Sequence, residues 1–360
     1  MSEAEKKMKI EMDDARLVYT GRIDNSNAKE PLFIYPASGV EFNFYGSRLS
    51  VEIKNLHSCY HNYIGCVLDN KKPVKTEIIK HGERYELTVC DNIKEGSHHA
   101  CLYKCEDAAH YYYLYAINIY ASEDRDAKLL DAPVLPKRKI EVFGDSVSAG
   151  EVSEAVEYVG KPDPLEHEGI YSNAWYSYSA FTARKLNAVL YDEAQGGIAL
   201  FDKTGYFRGP DYIGMESTYD KLAYNDQIMP ITEWDFSRYI PNVVIIAIGQ
   251  NDHNPDDYMG KDMNKSRHWK EHYKMLICNI RKHYPKALFI LATTILMHDS
   301  AWDDAIDEVA KSFNDRKVVH FLYSGNGKGT PGHIRIPEAD KMSDELSAFI
   351  ESFGEDVWKD

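Results

Sequence analysis

Ile140-Glu141-Val142-Phe143 runs straight into Gly144-Asp145-Ser146-Val147-Ser148-Ala149-Gly150, and the meaning of that junction decides the fold. A short apolar run that ends abruptly in glycine, carboxylate and hydroxyl reads as a buried parallel strand leaving the core. The signature recurs downstream in Ala188-Val189-Leu190-Tyr191, Val243-Val244-Ile245-Ile246-Ala247-Ile248, Ala287-Leu288-Phe289-Ile290-Leu291-Ala292 and Val318-Val319-His320-Phe321-Leu322. Helix-period segments are predicted near 172–187, 263–283, 301–313 and 338–352. In the second of these, Trp269, Tyr273, Leu276, Ile277 and Ile280 form the apolar stripe. Strands alternating with helices predict βαβ units and a parallel sheet of about five strands, covered on both faces.

Upstream the pattern is different. Val40-Glu41-Phe42-Asn43-Phe44-Tyr45 alternates, Gly46-Ser47 breaks it, and Leu49-Ser50-Val51-Glu52-Ile53 alternates again. Further short strands are predicted at 62–68, 85–89, 100–104 and 111–120, with turn residues between them. This is the pattern of an antiparallel β-sandwich. The two-proline connection Asp131-Ala132-Pro133-Val134-Leu135-Pro136 separates the two patterns, so the expected domains are 1–132 and 133–360.

The chain has 360 residues, which suits two domains, and 44% of them are hydrophobic, enough for a sizeable core. A net charge of −15 argues against a nucleic-acid partner, since phosphate binding needs Lys and Arg in excess. The opening Met1-Ser2-Glu3-Ala4-Glu5-Lys6-Lys7 leads into no apolar stretch, and no later segment approaches the ~20 apolar residues that span a bilayer. The expectation is a cytoplasmic protein with no membrane partner. Oligomeric state is not legible. The six cysteines (59, 66, 90, 101, 105 and 278) form no CxxC pair and read as reduced structural thiols, with a zinc site second. Cys101 and Cys105 share strand parity and are expected on one face. The 26 tyrosines suit either sugar contacts or sandwich packing.

In open α/β sheets, ligands bind beyond the carboxyl ends of the strands, so the residues after each apolar run carry the chemistry. After the first run, Ser146 sits where strand turns toward helix, a place for a nucleophile or for a helix cap. Glu193-Ala194-Gln195-Gly196-Gly197-Ile198 follows the second, offering close backbone approach or a plain turn. Gly249-Gln250-Asn251-Asp252 follows the third, and an Asn251 amide there suits a developing oxyanion or a turn. Beyond the last comes Gly329-Thr330-Pro331-Gly332-His333, with His333 able to reach a serine across the sheet.

Ser, Gly, Asn and His in that order resemble the serine esterases of the SGNH (GDSL) superfamily, which is named for that quartet. The resemblance implies a flavodoxin-like sheet, Ser146 as nucleophile and first oxyanion donor, Gly197 (or Gly196) and Asn251 as further donors, and His333 as base. The opening Tyr19-Thr20-Gly21-Arg22-Ile23, then Tyr35-Pro36-Ala37-Ser38-Gly39-Val40-Glu41-Phe42 and Leu102-Tyr103-Lys104-Cys105-Glu106, resemble the jelly-roll domain of family-two carbohydrate esterases. Those enzymes remove acetyl groups from xylan and related polysaccharides. The expected partner is therefore an acetylated oligosaccharide or polysaccharide, with imported acetylated xylo-oligosaccharides suiting a cytoplasmic enzyme. The other readings are an SGNH lipase or thioesterase, and a sugar-binding protein whose hydrolase domain is spent.

SGNH enzymes carry Asp three residues before the His and Pro after it, where this chain has Thr330 and Ile334. A Ser146–His333 dyad then needs a backbone carbonyl or another carboxylate to hold the imidazole tautomer. With a base near the usual pKa of about 6.5, activity is expected to fall in acid. No metal or organic cofactor is needed. His268-Trp269-Lys270-Glu271-His272 matches a zinc-protease signature but lacks a third ligand. Asp256 and Asp257 read as a solvated loop, and Tyr258 and Trp302 as sugar-stacking aromatics or, equally, packing residues.

Overall fold

The computed structural model describes residues 5–57 and 59–359, so the first four residues of the charged opening lie outside the described residues. Two compact units divide the chain, one of Met1–Leu135 with Asn225–Met229 and the other of Pro136–Tyr224 with Pro230–Asp360. The division at Leu135 and Pro136 falls within the two-proline connection. The return of Asn225–Met229 to the first unit is not visible in the sequence pattern, and it is tied there by Asn225 N–H donating to Tyr111 Oη at 3.3 Å.

The first unit is a jelly-roll sandwich of two antiparallel sheets. One has the order Ile23–Asp24, Leu32–Phe33, His110–Ser122, Arg48–His57 and Arg84–Cys90, with Glu5–Glu11 also pairing His110–Ser122. The other has the order Lys128–Leu129, Gly39–Gly46, Gly96–Lys104, Tyr63–Leu68 and Val74–Glu77, with Val18–Thr20 joining Gly39–Gly46. Alternation decides which side is buried. Val40, Phe42 and Phe44 are fully buried while Glu41, Asn43 and Tyr45 between them are not. They meet Val51, Ile53, Leu114, Ile117 and Ile119 from the facing sheet in one apolar core. Tyr35, Tyr103, Tyr111 and Tyr112 are fully buried here, which accounts for part of the tyrosine load as packing. All six cysteines are free, and Cys105 lies past the end of Gly96–Lys104, so strand parity does not place it with Cys101.

The second unit carries the five-stranded parallel sheet, in the order Ala188–Ala194, Arg138–Gly144, Val243–Ala247, Leu288–Leu291 and Val318–His320. In chain order this is second, first, third, fourth and fifth, the flavodoxin-like arrangement. Ile140, Val142, Val243, Ile245, Leu288 and Ile290 face the helices Tyr178–Lys185 and Ile336–Glu351, which bury Tyr178, Met342, Leu346 and Ile350 against them. On the helix Met263–His283, the predicted stripe Trp269, Tyr273, Leu276, Ile277 and Ile280 is the buried face. Trp269 also packs edge-on to Trp302 of Ala301–Ser312, with ring centroids 5.3 Å apart. Among the described residues no helix is long and apolar enough to cross a membrane.

Leu346 is fully buried between the sheet and its helix. Leu346→Ala leaves a cavity there, and the expected cost is ~2–5 kcal/mol, read as a lower urea midpoint with unchanged m-value.

Candidate active site

The strand Arg138–Gly144 ends against the single turn Ser146–Ala149. Asp145 caps that turn by accepting the Val147 N–H at 3.0 Å, which leaves Ser146 at the first helical position with a backbone N–H that no helical carbonyl takes. The Ser146 side chain sits in a nearly closed setting, the residue being 5% exposed. Asp145 itself is buried, and burial pushes its pKa up to about 6 against hydrogen bonds from Gln250 Nε2 at 2.8 Å and from Val147.

The loop after the neighbouring strand is drawn in by Gln195 N–H on the Gly144 carbonyl at 3.2 Å. Gly197 then turns with φ +71°, and an added Cβ would stand 2.9 Å from Tyr206 Cβ, so only glycine fits. Its carbonyl accepts from Tyr206 and Phe207 N–H groups at 2.7 and 3.3 Å. Its own N–H has no acceptor among the described residues. Gly196 is the lesser candidate, its carbonyl already taken by Gln195 Nε2 at 3.2 Å. Asn251, beyond Val243–Ala247, donates from Nδ2 to the Ile198 carbonyl at 3.0 Å and more loosely to Asp145 Oδ2 at 3.4 Å.

His333 answers the question left by Thr330. Its Nδ1 lies 2.6 Å from Asp163 Oδ2, and its backbone N–H donates to Asp163 Oδ1 at 2.9 Å. The carboxylate is supplied by another loop. Arg335, with a fully buried side chain, donates to Asp163 Oδ1 at 2.7 Å and holds the acid in place. Ile336 N–H on the Ser153 carbonyl at 3.0 Å and Gly160 N–H on Glu338 Oε1 at 3.1 Å fasten the same loop to the segment bearing His333. Gly332 permits the approach, because a Cβ there would meet the Lys161 carbonyl oxygen at 2.6 Å. On the other side of the ring, Nε2 lies 3.3 Å from Glu151 Oε2. No hydrogen bond joins Ser146 to His333 among the described residues.

These contacts change how the ring titrates. Burial alone would push the His333 pKa down, but hydrogen bonds and charge from Asp163 and Glu151 outweigh it and raise it to about 10. Asp163 is desolvated too, yet His333 and Arg335 hold its carboxyl well below the usual carboxylate range. The ring is therefore not the ordinary imidazole, titrating at about 6.5, on which the expected acid limb rested.

A polar network runs behind the site. Thr294 donates to Gln250 Oε1, Thr293 donates to Asp303, and Asp303 also receives Asn326 Nδ2 at 2.9 Å and faces His298 Nε2 at 3.1 Å. Met297 N–H on the Thr330 carbonyl at 2.8 Å and Gly327 N–H on the Thr294 carbonyl at 2.9 Å zip the two loops that precede His333.

Trp302 is not at a sugar-facing surface. It is 3% exposed, held edge-on by Trp269, so the sequence expectation for it is corrected to core packing. Tyr258 is partly exposed, with its ring against Phe201 at 5.2 Å. His268 and His272 do share a helix face, where they flank Phe201 at 5.1 and 5.0 Å, and His272 pairs with Glu216 at 3.2 Å. Among the described residues no cluster of three or more metal-ligating side chains is present.

Comparison with known proteins fits this layout. Residues 19–133 match the carbohydrate esterase 2 N-terminal family model. The cellulase/esterase CelE of Acetivibrio thermocellus is 28% identical over 94% of this chain, though the chain spans only 40% of that relative's length. An acetylxylan esterase / glucomannan deacetylase of Cellvibrio japonicus is 28% identical over 94% of the chain and 89% of its own length. The solved family-two carbohydrate esterase of Clostridium thermocellum in complex with cellohexaose superposes with TM-score 0.75 at 28% identity, covering 94% of this chain and 98% of that one. The chain is similar to the family-two carbohydrate esterases. Similarity to those esterases thus extends over both units, and the serine and histidine loops lie at the strand ends of an SGNH-type sheet.

The Asp163–His333 pair has a defined pH signature. A His pKa raised to about 10 contributes stability that is full below about 6.5 and is lost as pH rises through 10. Asp163→Asn should therefore lower the denaturation midpoint most between about pH 4 and 6.5, with the deficit shrinking toward pH 10 to the part owed to Arg335. A deficit independent of pH would contradict the pairing. Gly332→Ala should cut kcat and lower the melting temperature together, because its Cβ meets the Lys161 carbonyl and the Asp163 backbone and displaces the loop that carries Asp163.

Proposed function

We propose that this chain is a serine esterase that removes O-acetyl groups from carbohydrate, with acetylated xylan or xylo-oligosaccharides as substrate. The observation that carries the reading is the clasp of His333 by Asp163 across the mouth of the sheet from Ser146, with unengaged N–H groups on the intervening loops. Ser146 Oγ attacks the acetyl carbonyl while Nε2 of His333 takes its proton. The tetrahedral oxyanion sits on the N–H groups of Ser146 and Gly197 and on the Asn251 amide, which gives up its long contact to Asp145 for the stronger charge. His333 then protonates the departing sugar oxygen. Water enters on the acetyl-serine, loses a proton to His333, and acetate leaves as Ser146 is restored. Asp163 holds the Nδ1–H tautomer throughout, the task of the acid that Thr330 does not provide.

Support for the acetyl and carbohydrate parts comes from the relatives, whose printed names include acetylxylan esterase and glucomannan deacetylase and one of which was solved with cellohexaose. Ser146→Ala is expected to abolish acetate release from p-nitrophenyl acetate and from acetylated xylo-oligosaccharides with the melting curve unchanged. Turnover retained by that variant would overturn the nucleophile. Asn251→Ala should lose ~10²–10³-fold in kcat as an oxyanion donor. Rates should fall steeply from acetate to longer acyl esters, and a preference for long chains would favour a lipase instead.

A further inference from the structure

Glu151 has no task in the acyl transfer just described, yet it occupies the nitrogen that the transfer needs. Its backbone N–H donates to the Ser146 carbonyl at 2.9 Å, closing the turn Ser146–Ala149 and fixing the residue one helical turn from the nucleophile. From there its carboxylate reaches Nε2 of His333 at 3.3 Å. Nδ1 is already committed to Asp163 at 2.6 Å. With a carboxylate on each nitrogen, the ring is held as an imidazolium whose Nε2 proton points at Glu151. An imidazolium takes no proton from serine. Glu151 must find another donor before His333 serves as base.

The two side chains remain about a quarter exposed, 26% for Glu151 and 23% for His333, so both are open to a ligand. An acetylated sugar brings its own donors, because carbons next to the ester carry free hydroxyls. A carboxylate accepts such a hydroxyl readily. We propose that Glu151 is a specificity residue that reads a free hydroxyl beside the scissile acetate, accepting its hydrogen bond in place of Nε2–H and so releasing His333 to act as base. The Nε2 proton passes to solvent water at that step, and no other bond is made or broken. Asp163, with Arg335 behind it, stays on Nδ1, and the buried Asp145 is the further charge within reach of the ring. The inference rests on the reading of Ser146 and His333 as an esterase pair. It adds a requirement that the reading alone does not make: a bare aryl acetate brings no hydroxyl and reacts only through the small, pH-dependent fraction of His333 already deprotonated, whereas a sugar acetate unlocks the base.

Three substrates separate the possibilities, each followed across pH with the full chain: a methyl xyloside monoacetate with a free neighbouring hydroxyl, the same ester with that hydroxyl methylated, and p-nitrophenyl acetate. The wild type should favour the free hydroxyl over the methylated ester by about tenfold or more in kcat/KM, the worth of one charged hydrogen bond. Glu151→Gln should erase that preference and move the acid limb for p-nitrophenyl acetate to lower pH, and Glu151→Asp should restore part of the preference. No preference in the wild type, or a preference and acid limb that survive Glu151→Gln, would overturn the role. Ser146→Ala run alongside isolates the underlying reading: if it stays active, the esterase assignment fails, and if it is dead, the Glu151 outcomes bear on Glu151 alone.

Discussion

The contact between Asp163 and Nδ1 of His333 is the constraint around which the site is arranged, because a bare imidazole at the rim of a sheet has no fixed tautomer or direction. Holding it requires a carboxylate that is itself held. Arg335 does so from a fully buried position, so its own charge has left water and must stay compensated by Asp163. Removing either partner leaves an uncompensated charge, and the three groups stand or fall together. The loop that carries Asp163 is bound to the segment bearing His333 through Ser153, Gly160 and Glu338, and Gly332 clears the space for it. A site assembled this way derives its geometry from loop-to-loop hydrogen bonds, while the parallel sheet sets where the loops begin.

That arrangement sets the chemistry as well as the geometry. A carboxylate on Nδ1 raises the basicity of the ring, which favours proton capture from serine once Nε2 is bare. A second carboxylate on Nε2 keeps the ring protonated and opposes the same step. Glu151 and Asp163 therefore act in opposite directions on one residue, although both raise its pKa. The network of Gln250, Thr294, Asp303, His298 and Asn326 lies further back and serves rigidity, since it ties the strand-end loops to one another without reaching the ring.

Much of this was legible in the residues. Apolar runs that end in polar residues located the sheet, and alternation located the sandwich, because both follow from burial and burial leaves a period in the sequence. Ser146, Gly197 and Asn251 were candidates for the same reason, each standing just past such a run, and His333 lies further on, beyond the last of them. Asp163 was not. It lies in Gly160-Lys161-Pro162-Asp163-Pro164, a loop with no period, and its partner is 170 positions away, so only folding reveals the contact. Its flanking prolines were the one available sign of a stiffened backbone. Trp302 misled because position in a helix near the loops said nothing about which way the ring faces. Glu151 sat in plain view after Gly150, but its meaning depends on where His333 arrives.

The pKa of His333 is the most direct measure of the double clasp. NMR titration of protein labelled with ¹⁵N at histidine, with the resonance assigned by its loss in His333→Asn, reads both ring nitrogens. A ring still doubly protonated at pH 8 and titrating near 10 is the result the arrangement predicts. A ring that titrates at about 6.5 would contradict it, and would mean that neither carboxylate holds His333 in solution.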